Sequence, residues 1–443
     1  MAGKASKTGV AVVGCGTVGG AVATMLTQDG EILGKRIASE LQLRHIVDVD
    51  FANAERLGLD KKLFSTDLDE ALRDKSVDII VELIGGTDAA RQTIERAVGA
   101  GKSVVTANKA LLAHHGPELL ALARKAGVCI AFEASCGGGI PIIGALTGGL
   151  IANRIDAIYG IVNGTCNYIL TAMTQKGTGY AEALAAAQAD GLAEADPTLD
   201  VAGVDSAHKL AIMAAIAFGC KTDFDAIAVT GIDSLQYCDV AYGQELGYVV
   251  KLLAMAHRQA EGLSLQVRPV LLSKAHPLAW VSGPFNAISV YGHATGHTMY
   301  YGRGAGGMPT ASAVLADIAA IATGAASCAF EQLNIWPDCA AAGTQLPTEA
   351  VRSRYYLRVT AEDRPGVLAK VAAVLGARDI SICSVLQREP PAGSEAQGVP
   401  VVITTHNAVE GDVQKALAEV DALDVIKAKT VCLAIVDEHP EQL

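Results

Sequence analysis

The chain has 443 residues, 51% of them hydrophobic, which is enough for two or three domains with substantial cores. Acidic residues outnumber basic ones 47 to 35, for a net charge of −12, and no Lys/Arg cluster could track a phosphate backbone, so the composition excludes nucleic acid and favours a small metabolite. Ten scattered cysteines without a C-x-x-C pair, no export segment in MAGKASKTGVAVVG and no apolar run of about 18 residues argue for a reduced, cytoplasmic protein without a structural zinc site or membrane span.

From Gly9 the chain reads GVAVVGCGTVGGAVATML, an apolar strand, a glycine loop and a helix of small residues. In the loop Gly14 permits the tight turn, Gly16 lets backbone N–H groups approach a pyrophosphate, and Gly19 lets the helix pack on the strand. Together with Thr17 and Val18 these are the predicted dinucleotide contacts. Strand-like runs follow at 43–50, 78–85, 102–109 and 128–135, with helical segments such as TDAARQTIERAVGAG between them. That alternation predicts an α/β, Rossmann-type doubly wound parallel sheet over 1–142. Near the end of the second strand, Asp48 can accept hydrogen bonds from ribose hydroxyls and repel a 2′-phosphate. The expectation therefore leans modestly to NAD over NADP, although Arg44 leaves a phosphate within reach. Lys109 opens a helix, an end where a cation is disfavoured, so an anion or a carbonyl oxygen is expected in front of it.

Around residue 143 the alternation changes. The stretch GLAEADPTLDVAGVDSAHKL (191–210) gathers Glu194, Asp196, Asp200 and Asp205 before Lys209. Asp205 and Lys209 have the i, i+4 spacing of ordinary surface pairs, but the apolar Leu210, Ile212 and Met213 that follow suit a lysine tuned for acid/base work. Asp196 and Asp200 read as helix caps. Runs at 263–272 and 285–307 lack crossover helices, so 143–307 is expected to be an α+β substrate and dimerisation domain with a mixed or antiparallel sheet. His293 and His297, in a strand-and-turn context with no third ligand, make a weak metal pair. The helix after Gly304 and Gly306 is expected to return to the nucleotide domain, completing it over about 308–335. Residues 336–354 read as a linker, and 355–430 as a third domain in strand, helix, strand, strand, helix, strand order.

These motifs carry a resemblance. GxGTVG (14–19), TANK (106–109), FEASCGGGIPII (132–143), NGTCNYIL (163–170), the 191–210 stretch and GRGAGGMPTASAV (302–314) together resemble homoserine dehydrogenases with a carboxy-terminal ACT domain. The resemblance implies NAD(P)-dependent, reversible reduction of L-aspartate 4-semialdehyde to L-homoserine, on the route to threonine, methionine and isoleucine. It implies that Lys209 is the general acid, that Lys109 assists at the reacting oxygen and the cofactor, and that Gly191, Glu194 and Asp205 bind substrate, with Gly306 near the nicotinamide. It further implies a Na+ held by the backbone carbonyls of Glu133, Cys136, Gly138 and Ile140, residues that also read as a plain glycine-rich turn before a Pro-led helix. The tail resembles a ferredoxin-like ACT domain with Gly366 before its helix. That implies an amino-acid effector, L-threonine, and a homodimer or homotetramer. The enzymatic rival is an aspartate semialdehyde dehydrogenase, which would need Cys136 as a nucleophile activated by histidine. The non-enzymatic rival is a dinucleotide and amino-acid sensor.

Overall fold

The computed structural model describes residues 6–37, 39–388 and 398–439. Its first sheet has six parallel strands, β1 (Ser6–Val13), β2 (Ser39–Val47), β3 (Phe64–Ser65), β4 (Ile79–Glu82), β5 (Ser103–Thr106) and β6 (Ile130–Ala131), in the order β3-β2-β1-β4-β5-β6. This is the doubly wound nucleotide-binding order. Both faces are covered, as a parallel sheet requires. On one face Val10, Val12, Ile79 and Val81 pack against Val22 of the helix Thr17–Ile37 and Val314 and Ile318 of the helix Gly307–Ala322. On the other, Ala11, Val13 and Ile80 meet Ile94 and Leu111 of the helices Asp88–Gly99 and Lys109–Ala126. The strand expected over 128–135 is cut to two residues, because Glu133–Ser135 forms a 3-10 turn leading into the glycine loop.

The second sheet has eleven strands: β7 (Ile155–Ile161), β8 (Ala228–Val229), β9 (Tyr248–Gln259), β10 (Gly262–Ser273), β11 (Phe285–Gly292), β12 (Gly296–Arg303), β13 (Arg352–Ala361), β14 (Ile382–Gln387), β15 (Val399–Thr405), β16 (Ala408–Val409) and β17 (Ile426–Val436). Its main path runs β12-β11-β7-β9-β10-β17-β13-β15-β14, with β8 beside β10 and β16 beside β13. The strands from β12 to β10 are antiparallel, as the missing crossovers imply. Those from β17 to β14 are also antiparallel and, with helices Val367–Ala377 and Glu410–Asp421, form the ferredoxin-like unit.

This unit and the strands of the second domain share one sheet. β10 and β17 pair in parallel through Val270 with Ala434, Leu271 with Ile435 and Leu272 with Val436. Two buried ion pairs lock this junction. Arg358 on β13 grips Asp239 on the helix Tyr237–Glu245 with both arms, Nε to Oδ1 at 2.6 Å and Nη2 to Oδ2 at 3.0 Å, while the Tyr356 hydroxyl donates to the same carboxylate. Arg268 on β10 meets Glu410 at 2.8 Å, and Tyr355 also donates to Glu410.

His293 and His297 lie at the hairpin between β11 and β12. His293 Nδ1 accepts from the Arg154 N–H, and His297 Nε2 pairs with the Ser289 hydroxyl. No single helix among the described residues is long and apolar enough to cross a membrane.

Candidate active site

The glycine loop packs as its spacing requires. Gly14 has φ +94°, and a Cβ on Gly19 would sit 1.8 Å from the Gly14 carbonyl oxygen, so the helix can approach the strand only at glycine. At Gly16 a Cβ would meet nothing within 4 Å, which leaves the loop's outer side open to a bulky anion at the helix N-terminus. Asp48 closes the loop from β2, because its carboxylate accepts N–H bonds from Cys15 and from Val49 and Asp50. Sequence reasoning assigned Asp48 to the ribose and missed this bracing of the loop.

A cleft of about 540 Å³ lies between this loop and the second domain. Val18, Lys109, Gly138, Gly191, Glu194, Asp205, Lys209 and Gly306 all line it, brought together from six separate stretches of chain. Gly14, Gly16, Thr17, Gly19 and Asp48 belong to the adjoining nucleotide loop, while Glu133, Cys136 and Ile140 lie behind the cleft wall and are buried.

At the centre is Asp205, in the first turn of the helix Val204–Phe218. One carboxylate oxygen is 2.8 Å from Lys109 Nζ and the other 2.7 Å from Lys209 Nζ. Burial alone would raise the Asp205 pKa, but the two ammonium groups overcome it and hold the carboxyl well below the usual carboxylate range. Burial likewise opposes the charge of Lys109, and Asp205 outweighs it, so the Lys109 pKa is raised. Asp205 is thus an anion that faces Lys109. Asn108 caps the helix Lys109–Ala126, with Oδ1 accepting from the Leu111 N–H.

Lys209 donates to Val162 O at 2.6 Å and to Asp205, which commits two of its three N–H donors. Asn163 joins the group by donating from Nδ2 to Asp205 and to Asp200, and its Oδ1 caps the helix Gly164–Lys176. Asp200, assigned to capping from the sequence, thus lines the cleft. Asp196 accepts from the Thr198 N–H and hydroxyl, a local turn. Asn163 was legible only inside the NGTCNYIL motif, with no role attached.

Cys136 has no exposed surface, and burial pushes its thiol up to about 12. Its sulfur contacts Ser135 and the Lys209 carbonyl, and among the described residues no histidine hydrogen-bonds to it. This is not the setting of an acyl-forming nucleophile. The Glu133 carboxylate accepts from the Ile143 and Gly144 N–H groups at 2.8 and 2.6 Å.

The chain can be compared with known proteins on this basis. Residues 14–133 match the homoserine dehydrogenase NAD-binding domain, 141–319 the homoserine dehydrogenase catalytic family and 355–423 the ACT domain. The homoserine dehydrogenase of Neisseria gonorrhoeae is 41% identical over 433 residues, covering 97% of this chain and 99% of that protein. The chain belongs to the homoserine dehydrogenase family. A crystal structure of a homoserine dehydrogenase from Thiobacillus denitrificans superposes with a TM-score of 0.92 at 41% identity, over 98% of this chain and 99% of that one. A hyperthermophilic archaeal homoserine dehydrogenase mutant in complex with NADPH superposes with a TM-score of 0.60 at 29% identity, over 71% of this chain and 97% of its own. Family membership makes this chain an oxidoreductase with a nucleotide-binding domain, a catalytic domain and an ACT domain, and it sets aside the acyl-phosphate and sensor alternatives.

Proposed function

We propose that the cleft carries out the homoserine dehydrogenase reaction with Lys209 as the proton donor to the aldehyde oxygen of L-aspartate 4-semialdehyde, and as the acceptor in the reverse direction. The observation that carries this reading is the Lys109–Asp205–Lys209 group facing the glycine loop across one cleft. A bound nicotinamide would supply or accept the hydride. The chain's own residues do the rest. Asp205 fixes both ammonium groups, so the third N–H of Lys209 is free to meet the oxygen, and Lys109 adds a second positive charge where alkoxide character develops. Glu194, an exposed carboxylate on the cleft rim, suits the substrate's α-ammonium, with Gly191 in the adjoining turn.

The open side of Gly16 supports a pyrophosphate contact by the 14–19 loop, and Gly306, at φ +127°, suits close approach of the nicotinamide. The acidic pair Asp48 and Asp50 at the end of β2 supports a modest preference for NAD over NADP. For Na+, the oxygen-only set of backbone carbonyls from Glu133, Cys136, Gly138 and Ile140 fits a hard cation. The ACT unit supports feedback by an amino acid, for which L-threonine is the proposed effector, and assembly as a homodimer or homotetramer in a cytoplasmic pathway to threonine, methionine and isoleucine.

The test is near-ultraviolet absorbance of the reduced cofactor with homoserine and each nicotinamide dinucleotide, for the natural chain and for Lys209→Ala, with Na+ and L-threonine varied in parallel. Turnover that falls roughly a hundredfold or more in the variant supports the proton role. Equal turnover in both proteins overturns it.

A further inference from the structure

Glu82 ends β4, in register with Val13 of β1 on one side and Thr106 of β5 on the other, and none of its surface is exposed. Between β1 and β4 the chain's progress along the parallel sheet changes direction, and in open sheets of this kind ligands lie beyond the carboxyl ends at that point. A glutamate there with no exposed surface does not touch a bound dinucleotide or substrate, and burying its charge is costly unless donors surround it. Glu82 has such donors. One carboxylate oxygen accepts from the Ile84 N–H at 2.9 Å and the other from the Thr106 hydroxyl at 2.7 Å. Burial raises its pKa, and these donors hold the rise in check.

The Thr106 hydroxyl passes this constraint on. Because it donates its one proton to Glu82, its oxygen is left to accept, and it takes the Asn108 N–H at 3.0 Å. Asn108 caps the first turn of the helix Lys109–Ala126 and donates from Nδ2 to Gly86 O at 2.6 Å, which closes a ring of hydrogen bonds through the loops after β4 and β5. Lys109, the next residue, sends its Nζ to Asp205 at 2.8 Å. An amide in place of the Glu82 carboxylate would offer an oxygen to only one of the two donors, and an amide N–H facing Thr106 would turn the hydroxyl around and break the order of the ring.

We propose that Glu82 is a positioning residue for Lys109, holding through Thr106 and Asn108 the helix start from which Lys109 reaches Asp205. This rests on the role given to Lys109 in the reaction above. The Lys109 side chain is long and 40% exposed, so its reach is set by where the first helical turn is held. A misplacement of about 1 Å in a group that faces the reacting atoms can cost on the order of a hundredfold in rate.

The test uses the full chain with Thr106→Val, which keeps the shape and removes the hydroxyl, Thr106→Ser, which keeps the hydroxyl, and Glu82→Gln, each alone and combined with Lys109→Ala. Thr106→Val and Glu82→Gln are expected to lower kcat for homoserine oxidation roughly tenfold or more, with both KM values changed less than about twofold, and Thr106→Ser to retain most of the activity. Added to Lys109→Ala, Thr106→Val should cost no further kcat, because residues that act as one unit are not additive. A merely structural tie would lower the melting temperature without that coupling. With Lys109→Ala impaired, an unchanged kcat in Thr106→Val, or the same loss with and without Lys109, overturns the proposal. Acetylation of Lys109 by acetic anhydride, followed by peptide mass spectrometry, reads its pairing without turnover. Labelling should be several-fold faster in Thr106→Val than in the natural chain, and equal labelling overturns the proposal. Where Lys109→Ala keeps full turnover, or the natural chain has none, labelling alone decides, and faster labelling then counts against the reaction and not against Glu82.

Discussion

Asp205 stands between two lysines that come from opposite sides of the cleft, 2.8 Å from Lys109 and 2.7 Å from Lys209. Asp205→Asn keeps the shape but leaves the buried Lys209 ammonium without a countercharge. Removing one partner of a buried pair costs about 3–5 kcal/mol, so the variant is expected to unfold at markedly lower urea and to lose activity with it. The sign of the pH effect follows from the depressed Asp205 pKa. The native contribution is complete above the unfolded carboxyl value of about 4 and is lost as pH falls towards the lower folded value. Urea midpoints measured from neutral to acid pH should therefore converge for the natural chain and Asp205→Asn only at the acid end.

Lys251 lies buried on β9 with only the neutral partners Asn167 and Val281, and burial lowers its pKa to about 8. An unfolded lysine titrates near 10.4, so between about pH 8 and 10.4 the unfolded chain holds a proton that the folded chain has released. Stability is then expected to rise with pH across that window, by up to about 3 kcal/mol, and Lys251→Met should lack this slope. Denaturant midpoints for the two proteins across the window are the check.

The Asp239 carboxylate accepts from both Arg358 and Tyr356 with no exposed surface. Asp239→Ala would strand a buried guanidinium at the seam between the catalytic and ACT parts, with an expected loss of about 3–5 kcal/mol. Arg358→Met, which removes the charge as well, should cost less when paired with Asp239→Leu than the sum of the single changes. A double-mutant cycle in urea measures that coupling, and strictly additive losses would show that the pair holds nothing together.

Cys136→Ser should retain most of its activity. The thiol is buried and pushed up to about 12, so no thiolate is present to lose. A collapse of homoserine oxidation in folded Cys136→Ser protein would contradict the hydride route.

Much of this was legible in the sequence because the signals are local. The glycine loop announces its own turn, and Asp205 with Lys209 lies one helical turn apart. The partnership of Lys109 with Asp205 joins residues nearly a hundred positions apart, so the sequence could say only that an anion or a carbonyl oxygen belonged before Lys109. Asp48 was read through its chemistry toward a ligand, but its nearest donors proved to be backbone N–H groups that no side-chain pattern reveals. Glu82 was read only as part of the strand-like run 78–85, since one glutamate at the end of an apolar strand carries no spacing signal, and its place beside Thr106 exists only once β4 and β5 pair. The pairing of β10 with β17 was hidden for a similar reason: both read as ordinary apolar strands, and register between distant strands is set by the assembled sheet.

That pairing bears on how the chain could be shortened. The archaeal homoserine dehydrogenase compared above spans 71% of this chain, so a catalytic unit of that length is a viable protein. Here, however, the ACT unit also shields the flank of β10. Cutting this chain back to its catalytic portion would turn Val270, Leu271 and Leu272 from interior residues into a bare row of amides and carbonyls beside aliphatic side chains. Such a flank invites strand-to-strand association between molecules, so the solubility of a trimmed enzyme would depend on charges or a proline introduced along β10.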